Sequence, residues 1–135
     1  MSWAKSLIKL STYEVEVLQK RLAEIGDRRR QAEMRLAMLF AQGEAEAAQA
    51  DPSTSGDLLR FLDALKGRKQ QIQCEIEIIM AEEAGARDAL AQAFEEQKKY
   101  EQIAEQARLM ELKVQAKVES AAMDELGLRK AGGGR

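Results

Sequence analysis

The chain has 135 residues, of which 4% are aromatic and 33% charged, with one proline, one cysteine and no histidine. Such a composition, led by Ala, Glu, Gln, Lys, Arg and Leu, is that of long helices or a coiled coil, and it excludes a globular aromatic core. Lys plus Arg (21) nearly balances Asp plus Glu (23), so the charge points to neither nucleic acid nor an anionic membrane. The missing histidine and lone Cys74 leave no zinc site, disulfide or imidazole chemistry, and a reducing cytoplasmic setting is expected. No apolar run approaches the roughly 20 residues of a membrane span, and Met1 to Leu10, with Lys5 and Lys9, lacks a signal-peptide core. The chain is therefore expected to be soluble and unprocessed.

The first predicted helix covers residues 4–50, with Ser2 as a plausible N-cap. Its seam, read at alternating spacings of four and three, is Ala4, Ile8, Ser11, Val15, Leu18, Leu22, Ile25, Arg29, Ala32, Leu36, Leu39 and Gly43. Gly26 costs about 1 kcal/mol relative to alanine, which the layers at Leu22 and Ile25 can offset. Gly43 lets a facing helix approach. Gln42 to Ala50 has almost no apolar seam and is expected to fray. Residues 51–56, Asp-Pro-Ser-Thr-Ser-Gly, collect the proline, a glycine and three hydroxyls, which reads as a turn.

The second predicted helix covers residues 57–127, capped by Ser55 or Asp57. Its d-type seam positions, from Leu58 through Leu65, Ile72, Ile79 and onward, are all apolar, whereas every second a-type position is polar: Lys69, Glu83, Gln97, Glu111 and Glu125. Both seams repeat with period 3.5, and pairing Gly43 with Leu65, Ala32 with Ile76, Leu18 with Leu90 and Ala4 with Ala104 gives one constant sum of residue numbers. The fold class is therefore all-α: an antiparallel two-helix coiled-coil hairpin over residues 1–130, with a longer C-terminal helix and a disordered tail at 131–135. Register is expected to be set by Gln97 opposite Ser11 and by a diagonal ion pair between Arg29 and Glu83, since a slip would strand a charge in an apolar layer. Arg29 snorkelling into solvent with Arg28 and Arg30 is the other reading.

Mirror pairing exhausts the first helix at Ala4. The second helix continues its apolar stripe through Ala107, Met110, Val114, Val118 and Ala121, with Met123, Leu126 and Leu128 beyond. An uncovered stripe forfeits burial worth about 25 cal/mol per Å², so another chain is expected to cover it. Trp3 lies at this end, either capping the seam or anchoring a partner. Near the turn, Phe40, Phe61 and Leu65 stand with Leu58, Leu59 and Leu62, and part of this group is expected to be exposed. Cys74 reads as a small filler. Arg28-Arg29-Arg30 reads as a solvated face compensated by Glu24, Asp27 and Glu33. No phosphate loop, nucleophile elbow or paired-carboxylate pocket is present, so no catalytic activity, cofactor, metal or small-molecule substrate is expected.

The run Glu14-Val15-Glu16-Val17-Leu18-Gln19-Lys20-Arg21-Leu22-Ala23-Glu24, the later Lys98-Lys99-Tyr100-Glu101-Gln102-Ile103-Ala104-Glu105 and the closing Met123-Asp124-Glu125-Leu126 resemble the FliJ family, the stalk of the flagellar type III export apparatus. That resemblance implies a coiled coil like the rotary ATPase gamma subunit. It places the open end, Trp3 with Ala107, Met110, Val114, Val118 and Ala121, in the pore of a hexameric export ATPase. It places the turn end, Phe40, Phe61 and Leu65, on the export gate's membrane subunit. Export chaperones are a further partner of the family. The implied location is cytoplasmic, at the inner face of the cell membrane when assembled. Two alternatives stay open: a structural homodimer in which the projecting segments overlap, and the equivalent stalk of a virulence secretion system.

Overall fold

The computed structural model describes residues 2–133, which form two helices, α1 (Ser2–Gln49) and α2 (Ser55–Gly133), with no strand among them. The fold is the expected all-α hairpin. At the N-terminal side, α1 begins at Ser2, two residues before the expected start. Helix α2 begins two residues early as well, because Thr54 rather than Ser55 or Asp57 stands before its first turn. The Leu58 N–H donates to the Thr54 carbonyl at 2.9 Å. Asp57 then falls inside the first turn, where its charge favours the helix dipole. At the other end α2 continues to Gly133, past the expected stop at 127 and through the first part of the expected tail. Nothing between Leu126 and Gly133 is a proline, and Lys130 lies in the last turn. Gly134 and Arg135 lie outside the described residues.

The turn is tied by its own polar groups. The Ser53 N–H donates to Asp51 Oδ1 at 2.8 Å, and the Ser53 hydroxyl donates to the same oxygen. The Thr54 N–H donates to the Asp51 carbonyl at 3.1 Å. These bonds hold the Asp51 carboxyl below the usual carboxylate range. Among the described residues no glycine has φ in the left-handed region, Gly56 included, so the reversal of direction is made by Asp51 to Thr54.

The chain divides into two compact units, Glu14–Gln92 and Met1–Tyr13 with Ala93–Arg135. The first holds a core of Ile25, Ala32, Ile79 and Ala86, with Leu22, Ile72 and Ile76 packed against it. These are seam positions of both helices, so the 3.5-residue repeat selects the buried face. Ala32 leaves no surface in water, and Leu65 is 2% exposed where it meets Gly43. In the second unit Ala4, Ser11 and Ala93 are buried and Ile8, Gln97, Tyr100 and Ala104 are half-buried.

Candidate partner-binding surface

Polar seam layers come first, because they fix which face of each helix stays in water. In the unit Glu14–Gln92, Arg29 Nε donates to both carboxylate oxygens of Glu83 at 3.2 Å, and Arg29 Nη1 donates to Glu33 at 2.9 Å. Glu83 is buried to 7% exposure and also accepts from Arg87 Nη2 at 3.2 Å. The guanidinium of Arg29, bonded to Glu33 and Glu83, is held above its usual range. Arg29 therefore pairs rather than snorkels. Its neighbours are compensated as well, Arg28 by Glu82 at 2.8 Å and Arg30 by Asp27. Arg35 and Glu75 add a further bridge at 2.9 Å. Gly26 is buried beside this layer, and a Cβ there would stand in ordinary van der Waals contact with Glu83 Oε2, at 3.4 Å.

In the unit of Met1–Tyr13 and Ala93–Arg135, Gln97 does not meet Ser11. The Gln97 side-chain N–H donates to the Thr12 hydroxyl at 3.0 Å. Ser11 is buried and donates to the Ile8 carbonyl of its own helix at 2.9 Å. A serine inside a helix can bond the carbonyl of the preceding turn, and that local bond wins over the longer reach across the seam.

The turn end behaves in two ways. Phe40 is 48% exposed and lies under the Lys69 ammonium, 4.1 Å from its ring centroid. That cation–π contact lets a lysine occupy a seam position without stranding its charge. Phe61 is half-buried and lines a groove with Leu58, Ala50 and Thr54. Leu65, expected with them as a contact surface, is instead the largest fully buried side chain. Its Cδ1 would stand 3.4 Å from a Cβ added at Gly43, so the small residue opposite swallows it. Leu59 is exposed, as its off-seam position requires.

The open end is dominated by α2. Ala107 is half-buried, and from Arg108 to Gly132 every residue is exposed. Met110, Val114 and Val118 are exposed at 62%, 59% and 63%, and Ala121 is exposed too. At 100° per residue these fall on one edge, the continuation of the seam. Ala107, Met110 and Val114 line one shallow apolar depression. Trp3 is half exposed. Glu105 and Arg108 form an i,i+3 pair at 2.7 Å, and the bond holds the Glu105 carboxyl below its usual range.

Met123 and Leu126, expected beyond the same stripe, instead belong to a second edge that the seam reading did not separate. Leu109, Leu112, Met123 and Leu126 are exposed and lie on the side of α2 opposite to Met110, Val114 and Ala121. Their spacing of three and eleven residues was legible in the sequence, but only when read as a second stripe. Met34, Met38, Ile78 and Met80 are likewise exposed, on the outer faces of the unit Glu14–Gln92. Cys74 is exposed. No helix among the described residues is long and apolar enough to cross a membrane.

With this geometry in view, the comparisons with known proteins are direct. The model of the family described as "Flagellar FliJ protein" matches residues 5–135. Two curated relatives of that name, from Caulobacter vibrioides strains NA1000 / CB15N and ATCC 19089 / CIP 103742 / CB 15, are each 51% identical to the chain over 136 residues. The alignments cover 98% of this chain and 98% of each relative. No solved structure matches it at a significant level. The family match takes in nearly the whole length, including both helices and the exposed end of α2, and the chain belongs to the flagellar FliJ family.

Proposed function

We propose that the chain is a non-enzymatic coiled-coil stalk of the flagellar protein export apparatus. In this reading the exposed end of α2 docks on the hexameric export ATPase, and the turn end contacts the membrane export gate. The observation that carries it is the exposed apolar edge of Met110, Val114, Val118 and Ala121, which continues the seam of α2 past the half-buried Ala107. Leaving that edge in water forfeits burial at about 25 cal/mol per Å². An edge of this kind on a family member of a flagellar protein supports docking to another component of the same machine. Flagellar rather than virulence secretion is favoured because the relatives carry flagellar names. Export chaperones are further partners in this reading. The stalk would sit in the cytoplasm, at the inner face of the membrane when assembled.

Co-purification tests the central contact. The full chain should retain the ATPase on an affinity column, and a chain ending at Arg108 should remain helical yet lose it. Equal retention by both chains overturns the reading.

A further inference from the structure

Helix α2 places a polar residue at every second a-type seam position, fourteen residues apart: Lys69, Glu83, Gln97, Glu111 and Glu125. The first three are each met from α1 by a group of matching chemistry. Lys69 has the Phe40 ring, Glu83 has the Arg29 guanidinium, and Gln97 has the Thr12 hydroxyl. The last two have no such partner: among the described residues, neither Glu111 nor Glu125 makes a side-chain hydrogen bond or ion pair, and the stretch that holds them is exposed. Lys5 lines the same groove as Glu111 without pairing with it. Around both carboxylates the seam stays apolar, with Val114, Val118 and Ala121 between them.

We propose that this edge is covered by an amphipathic helix of another protein that brings an arginine or lysine to Glu111 and a second one to Glu125. The proposal deepens the docking reading above and rests on it. Two cations fourteen residues apart stand about 21 Å apart along one face of a helix. Glu83 shows what this chain does with a seam carboxylate: it is buried only with a guanidinium laid against it. An apolar occupant without cations would take Glu111 and Glu125 out of water unpaired, which is strongly unfavourable. A second copy of this chain does not fit the requirement. Its own free edge presents Ala107, Glu111, Val114, Val118, Ala121 and Glu125, with no cation among them, so carboxylates would be buried without partners.

The test uses the full chain and two synthetic amphipathic helices of eight turns. They share a leucine and alanine seam and differ at two positions fourteen apart, which are arginine in one and glutamate in the other. By fluorescence anisotropy the arginine helix should bind the native chain about tenfold more tightly than the glutamate helix. The order should invert for the chain carrying Glu111→Arg and Glu125→Arg. Should the double variant lose helicity by circular dichroism, Glu125→Arg alone repeats the comparison, with a partial inversion expected. Equal binding of the two helices, or an unchanged order in the variants, overturns the proposal. So does a concentration-dependent dimer of the native chain that Glu125→Arg abolishes, since it assigns the edge to a second copy. Failure of the ATPase to co-purify with the native chain refutes the stalk reading separately, because the synthetic helices contain no ATPase sequence.

Discussion

Arg29 Nε stands 3.2 Å from both carboxylate oxygens of Glu83, and the pair spans the two helices where each presents a seam position. Breaking such a pair differs from replacing it. Arg29→Met leaves Glu83 buried with only the more exposed Arg87 to answer it. The double variant Arg29→Met, Glu83→Met fills the same layer with apolar atoms. Thermal unfolding followed by circular dichroism should show the single variant less stable than the native chain, and the double variant more stable than the single. A single variant that melts with the native chain would mean that the pair carries no weight in the fold.

Glycines in α2 separate packing from propensity. A Cβ added at Gly67 or Gly85 meets nothing within 4 Å, so alanine there removes backbone freedom from the unfolded chain without a clash. Each of Gly67→Ala and Gly85→Ala should stabilise by about 0.5–1 kcal/mol in urea unfolding. Gly43 is the contrast: its Cβ would stand 3.4 Å from Leu65 Cδ1 and 3.7 Å from Leu62, so Gly43→Leu should destabilise by about 1–3 kcal/mol through overpacking.

The turn supplies a pH dependence. The Asp51 carboxyl is held below its usual range by hydrogen bonds from the Ser53 hydroxyl and N–H. A carboxyl depressed in the folded state contributes stability that is complete at neutral pH. That contribution is lost as pH falls through and below the ordinary aspartate range, where the unfolded chain takes up the proton first. Asp51→Ala should therefore be less stable than the native chain at neutral pH, and the gap should narrow on acidification from about pH 5 to pH 3. Melting curves across that interval check it, and a constant gap would detach the turn from the Asp51 charge.

Most of this architecture could be read from residue spacing. The period of 3.5 picked out Ile25, Ala32, Ile79 and Ala86 as a core, and the constant pairing sum located Gly43 against Leu65. It also placed Arg29 within diagonal reach of Glu83. Spacing fails where two partners compete at short range. Ser11 took its own Ile8 carbonyl, and Gln97 turned to Thr12, a choice decided by local geometry rather than by the repeat. It fails again where one residue satisfies two patterns. Leu65 belongs both to the apolar cluster by the turn and to the seam, and burial against a glycine settles it in the seam. The edge of Leu109, Leu112, Met123 and Leu126 does not stand out in the sequence because a hairpin reading follows one seam along each helix, whereas the exposed end of α2 carries apolar residues on two sides.

That double membership gives the last prediction, which separates core from contact surface at the turn end. Leu65→Ala empties a site with 2% exposure and should cost about 2–4 kcal/mol of stability, wherever the turn docks. Phe61 is half-buried beside Leu58, so Phe61→Glu can turn its carboxylate to solvent and should leave the melting temperature within a few degrees of the native chain. If the turn contacts the export gate, cells carrying Phe61→Glu should swim poorly although the variant still co-purifies with the ATPase. Normal motility in that strain, with the protein present at native levels, would remove Phe61 from the proposed contact surface.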